Sequence, residues 1–114
     1  MEIKIINQPI SQAELEKLAE DSFGDMVKGV VDIEKGKMAL GGELHADAEA
    51  LLLENGSNQQ NLWGINILPQ KSKEDRIEFT SLINIRPSQG YRSMEIEDKE
   101  IKEKIKKIVD GLIN

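Results

Sequence analysis

Between Arg76 and Arg86 the chain alternates with a period of two: Ile77, Phe79, Ser81, Ile83 and Ile85 fall on one side, Glu78, Thr80, Leu82, Asn84 and Arg86 on the other. A β-strand sends successive side chains to opposite faces, so the pattern predicts a strand over Arg76 to Ile85 with one face on a core and one in water. A sheet with one solvated face is characteristically antiparallel. Met38 to His45 repeats the theme, with Met38, Leu40, Gly42 and Leu44 toward the core and Ala39, Gly41, Glu43 and His45 on the opposite face.

The remaining elements follow from local signals. Glu2 to Ile6 reads as a first strand. Ser11 and Glu14 stand at capping-box spacing, and Ile10 and Leu15 at the two positions of a hydrophobic staple, so a helix begins at Ser11. Leu15, Leu18, Ala19 and Phe23 give it a helical stripe that Gly24 stops. Met26 to Ile33, the turn Glu34-Lys35-Gly36 and the strand from Met38 form a hairpin. Asp47 caps a helix through Glu54 that three successive leucines, Leu51 to Leu53, mark as buried on more than one side. Leu62 to Leu68 is a strand in which Trp63 shares a core-facing side with Ile65 and Ile67. After an irregular loop from Arg86 to Ser93, a last helix runs from Asp98 to Ile113 with Ile101, Ile105, Ile108, Val109 and Leu112 on one stripe. Its Lys-rich run from Lys99 to Lys107 reads as a solvated face. The order is β-α-β-β-α-β-β-α, an α+β domain with one mainly antiparallel sheet of about five strands and three helices.

The 114 residues fit a single domain spanning 1–114, large enough to bury roughly two-thirds of the unfolded surface in one core. With no cysteine there are no disulfides, thiolate metal sites or cysteine nucleophiles, and the expected compartment is the cytoplasm. The longest apolar run is Ala50 to Leu53, which excludes a membrane-spanning helix and a secretion signal. A net charge of -6 argues against general nucleic-acid binding. The charge is uneven. No Lys or Arg occurs between Lys37 and Lys71, where Glu43, Asp47, Glu49 and Glu54 all fall.

Several stretches resemble one family: Gly24-Asp25-Met26-Val27-Lys28 with Val31 to Gly36, Gly42-Glu43-Leu44-His45-Ala46-Asp47, Leu62-Trp63-Gly64-Ile65-Asn66, and Ile83-Asn84-Ile85-Arg86-Pro87-Ser88-Gln89-Gly90. The chain is similar along nearly its whole length to a family of short prokaryotic proteins catalogued as a domain of unknown function. That resemblance implies a free-standing protein and brings no reaction, cofactor or partner with it.

Two groups of residues could carry chemistry. Glu43 and His45, on one strand face, could approach a divalent ion, but one His with no Cys falls short of the usual ligand supply, and Asp47 is better used as a helix cap. No metal and no cofactor is expected. Asn84, Arg86, Ser88, Gln89, Arg92 and Ser93 form the second group, and include two of only three arginines. The guanidinium fork suits carboxylates and phosphates, which makes this loop a candidate anion site. Internal ion pairs from Arg86 and Arg92 to Glu43, Asp47 or Glu49 are the structural alternative. The leading expectation is a small soluble binding or interaction module, with a polar site near Glu43, His45, Arg86 and Arg92. Its partner would be a protein or a small anionic ligand, and a homodimer could form through a sheet edge or helix face. The alternative is a metal-independent hydrolase or nuclease with His45, Glu43 and Arg92 as catalytic candidates. Serine-hydrolase and phosphate-loop fingerprints are absent.

Overall fold

A computed structural model describes residues 2–114. The order of elements is the expected one: β1 (Ile3–Ile6), α1 (Gln12–Glu20), β2 (Val27–Asp32), β3 (Lys37–Gly41), α2 (His45–Glu54), β4 (Leu62–Ile67), β5 (Ile77–Glu78) and α3 (Lys99–Leu112). The five strands form one sheet in the order β1-β3-β2-β4-β5, antiparallel throughout. Local chemistry explains the helix starts. Ser11 Oγ accepts from the Glu14 N–H at 3.1 Å while Glu14 returns to the Ser11 N–H, closing the capping box. Asp98 accepts from the Glu100 and Ile101 amides at the start of α3. No helix among the described residues is long and apolar enough to cross a membrane.

Both sheet faces are covered. One packs Val27, Val31, Met38, Leu40, Trp63, Ile65 and Ile67 against Leu15 and Ala19 of α1 and Ile101, Ile105 and Val109 of α3. The other packs Val30, Ala39 and Leu62 against Ala48 and Leu52 of α2. The second face is therefore not the solvated one that alternation predicted. Trp63 is 2% exposed and belongs to the main core, as its strand position implied.

Two predicted strands are shorter than their alternation. β3 stops at Gly41, where Gly41 (φ +116°) and Gly42 (φ +84°) turn the chain out of the sheet. A Cβ at Gly41 would strike the Glu2 backbone, so glycine is required by space as well as torsion. Glu43 and His45 consequently lie on no strand. His45 is the first residue of α2, Leu44 rather than Asp47 is its N-cap, and Leu44, expected in the core, is 59% exposed.

The strand expected over Arg76 to Ile85 is reduced to Ile77–Glu78. Phe79 and Ser81 then pair with the returning segment instead, through Ile96 N–H to Phe79 O and Ser81 N–H to Met94 O. Leu82–Asn84 forms a 3-10 turn whose Ile83 amide is capped by Ser81 Oγ. Ile83 packs under α2 while Leu82 is 71% exposed, so apolar alternation here encodes a turn with one residue in and one out. Gly64 of β4 makes room for this crossing, since a Cβ there would collide with the Ser81 side chain.

Candidate functional site

The crossing creates a groove on the α2 face. Lys28 of β2 and Asn66 of β4 are register partners, so their side chains project from the same face, beside each other at its floor. The start of α2 brings Leu44, His45 and Ala46 over them, and the chain from Thr80 to Ile83 with Met94 closes the far side. The volume of this open groove is about 380 Å³, and the exposed apolar residues Leu44, Leu82 and Met94 stand around it.

His45 is held in place. Its Nε2 lies 2.8 Å from the Ile65 carbonyl oxygen, which in the neutral ring makes Nε2 the protonated nitrogen and leaves Nδ1 an acceptor. Burial lowers the His45 pKa from its ordinary 6.5, and the Lys28 charge lowers it further, while the Ile65 carbonyl and the Asn66 side chain oppose the shift. The imidazole is therefore neutral at neutral pH. Asn66 Nδ2 reaches Glu78 Oε1 over a long 3.4 Å contact, which turns Asn66 Oδ1 the other way, where it is buried without a hydrogen-bond partner. The Lys28 ammonium lies 5.2 Å from the Phe23 ring centroid and joins none of the ion pairs among the described residues. No side chain caps the first turn of α2, although Asp47 supplies an exposed carboxylate there.

The residues singled out from sequence do not converge here. Glu43 is exposed in the bend before α2, outside the groove. Asn84 is 1% exposed, with both ends of its amide bound to Gly64 backbone. Arg86 is 7% exposed and donates to the carbonyls of Gln59 and Leu62, with its guanidinium carbon 4.1 Å from the Trp63 ring centroid. The expected ion pairs from Arg86 or Arg92 to Glu43, Asp47 or Glu49 do not form. Burial lowers the Arg86 pKa, and Glu49 counters this only as a charge at longer range.

Ser88 and Gln89 are exposed on a 3-10 turn, Pro87–Gln89. Arg92 and Ser93 line a separate depression of about 170 Å³ beside Trp63 and Tyr91. Ser93 Oγ there accepts from the Glu95 amide at 3.1 Å. His45 and Arg92 thus face different hollows. Among the described residues, no group of three or more His, Asp or Glu side chains could hold a metal ion.

Lys28, Asn66, Leu82 and Met94 were not foreseen as site residues. Lys28 and Asn66 are polar side chains facing one another between the apolar residues of β2 and β4, a signal visible only once the register is known.

The model of the family described as "Protein of unknown function (DUF5674)" matches residues 4–112. No curated protein and no solved structure matches.

Proposed function

Since the chain belongs to the DUF5674 family, whose description assigns no activity, we propose from the groove that it is a binding module for a small, partly apolar molecule. The observation carrying this reading is the 380 Å³ hollow ringed by exposed Leu44, Leu82 and Met94. Small-ligand sites are concave, mostly apolar hollows of about 300–1,000 Å³ with a few placed polar groups. Protein interfaces instead take about 20–30 residues from each partner, whereas ten line this hollow, so a small molecule suits it better than a protein or a second copy of the chain.

The hydrolytic alternative has less support. It needs a base and cations at one centre, whereas His45 commits Nε2 to Ile65 and Arg92 lines another hollow. We place the protein in the cytoplasm on the strength of its cysteine-free sequence.

Titration with the neutral apolar dye Nile red tests the reading. The wild-type protein is expected to enhance its fluorescence, and Leu82→Asp, at a residue 71% exposed, is expected to abolish the enhancement without lowering the melting temperature. Equal enhancement by both proteins, or none by either, overturns it.

A further inference from the structure

The groove's polar atoms define what the polar end of its ligand must be. The chain carries 21 acidic residues against 15 Lys and Arg, yet the groove is lined by one lysine and no acid. That lysine, Lys28, has no carboxylate partner among the described residues, and its contact with the half-exposed Phe23 ring leaves the ammonium's donors free. Two acids on the neighbouring segments turn elsewhere. Glu78 accepts from Asn66 Nδ2, and Glu95 accepts from Thr80 Oγ1 at 2.6 Å.

Opposite Lys28 in register, Asn66 presents the contrary need. Its Oδ1 is a buried acceptor without a donor, and the neutral His45 ring has already given its one N–H to Ile65. A buried acceptor left unmade is unfavourable, and turning this half-buried amide toward a ligand donor in the groove would satisfy it. Charge and hydrogen-bond demand therefore differ across a single strand pair.

Resting on the reading of the groove as a ligand site, we infer that it takes an apolar carboxylic acid bearing a hydroxyl or amide N–H beside its carboxylate. The carboxylate pairs with Lys28, the neighbouring donor bonds Asn66 Oδ1, and the apolar body lies against Leu44, Leu82 and Met94.

Calorimetric titration at neutral pH with three probes tests this: phenylpropanol, phenylpropanoate and phenyllactate, which share a body and differ in the head. Phenylpropanoate is expected to bind about tenfold more tightly than the alcohol, the usual value of one charge-assisted hydrogen bond, and phenyllactate more tightly again. Lys28→Gln should erase the preference for acid over alcohol, and Lys28→Arg should keep it. Asn66→Ala should erase only the advantage of phenyllactate.

Equal affinity for phenylpropanoate and phenylpropanol, or a preference that survives Lys28→Gln, overturns the inference while leaving the groove as a site for apolar molecules. Equal affinity for phenyllactate and phenylpropanoate overturns the role of Asn66. If none of the three probes nor Nile red binds, both the inference and the functional reading fall.

Discussion

The side-chain amide of Asn84 takes the place of a strand residue beside Gly64. Its Oδ1 accepts from the Gly64 N–H at 2.8 Å and its Nδ2 donates to the Gly64 carbonyl at 3.0 Å. β5 pairs with β4 only at Asn66 and Ile67, so the rest of that edge has no strand neighbour. A buried edge with unpaired backbone groups is unfavourable. Asn84 completes the ladder at Gly64 and Arg86 completes it at Leu62, which is why two residues that read as ligand-binding are buried.

Asn84→Ala should therefore cost about 3 kcal/mol, because it strands one buried N–H and one buried C=O, each worth about 1–3 kcal/mol. Asn84→Asp should not rescue it, since a carboxylate still accepts from the Gly64 N–H but repels the carbonyl. Urea unfolding measures both. A loss below about 1 kcal/mol for the alanine variant would mean that water replaces the amide and that the edge is open.

Arg86→Ala should also cost about 3 kcal/mol, through two carbonyls losing donors and Trp63 losing the guanidinium above its ring. A single ammonium cannot reproduce the planar fork, so Arg86→Lys should recover less than half of the loss. Arg92, exposed and in no ion pair, should change stability by no more than about 0.5 kcal/mol when replaced by alanine. Equal losses at the two positions in urea unfolding would contradict this division.

What was legible in the sequence was whatever short-range chemistry determines. The capping box at Ser11 and Glu14, the stripe from Ile101 to Leu112 and the turn at Gly36 each need only neighbours in sequence, and each stands where it was read. The order of elements and the antiparallel sheet followed from them. Alternation misled at Leu44 and at Asn84, because a period of two continues through a glycine turn or a 3-10 turn with no change of pattern. The glycines at 41 and 42 were the available warning, since both adopt the positive φ that ends a strand. The groove was not legible for a different reason. It depends on Lys28 standing opposite Asn66, and strand register between residues far apart in sequence is fixed by tertiary packing.

Gly64→Ala tests whether the crossing at Ser81 is as close as the edge requires. The added methyl would meet the Ser81 Cβ and the Ile83 side chain, neither of which can withdraw without disturbing the 3-10 turn that carries Asn84. The expected cost is about 2 kcal/mol, within the range for forcing a methylene into a packed site. Because the same turn walls the groove, the variant should also weaken Nile red binding. Unchanged stability in urea would show the turn to be free to shift.

The pH dependence of stability isolates His45. Its folded-state pKa lies below the ordinary 6.5 that the unfolded chain retains, with burial the largest cause and the Lys28 charge adding to it. The unfolded state therefore binds the proton more readily, and stability must rise with pH wherever it does so. The contribution is fully present above about pH 6.5 and is lost as pH falls through the folded pKa. Asp110 behaves in the same sense much lower. Its bonds to Lys106 and Arg76 outweigh burial and hold its pKa below 3.8, so its contribution is lost only in stronger acid. Wild type and His45→Gln compared by urea unfolding across mildly acidic pH should thus diverge, the wild type losing stability below about pH 6.5 and the variant staying nearly flat until the carboxylates titrate. Parallel curves would show that His45 titrates alike in the folded and unfolded states, and that neither burial nor Lys28 acts on it.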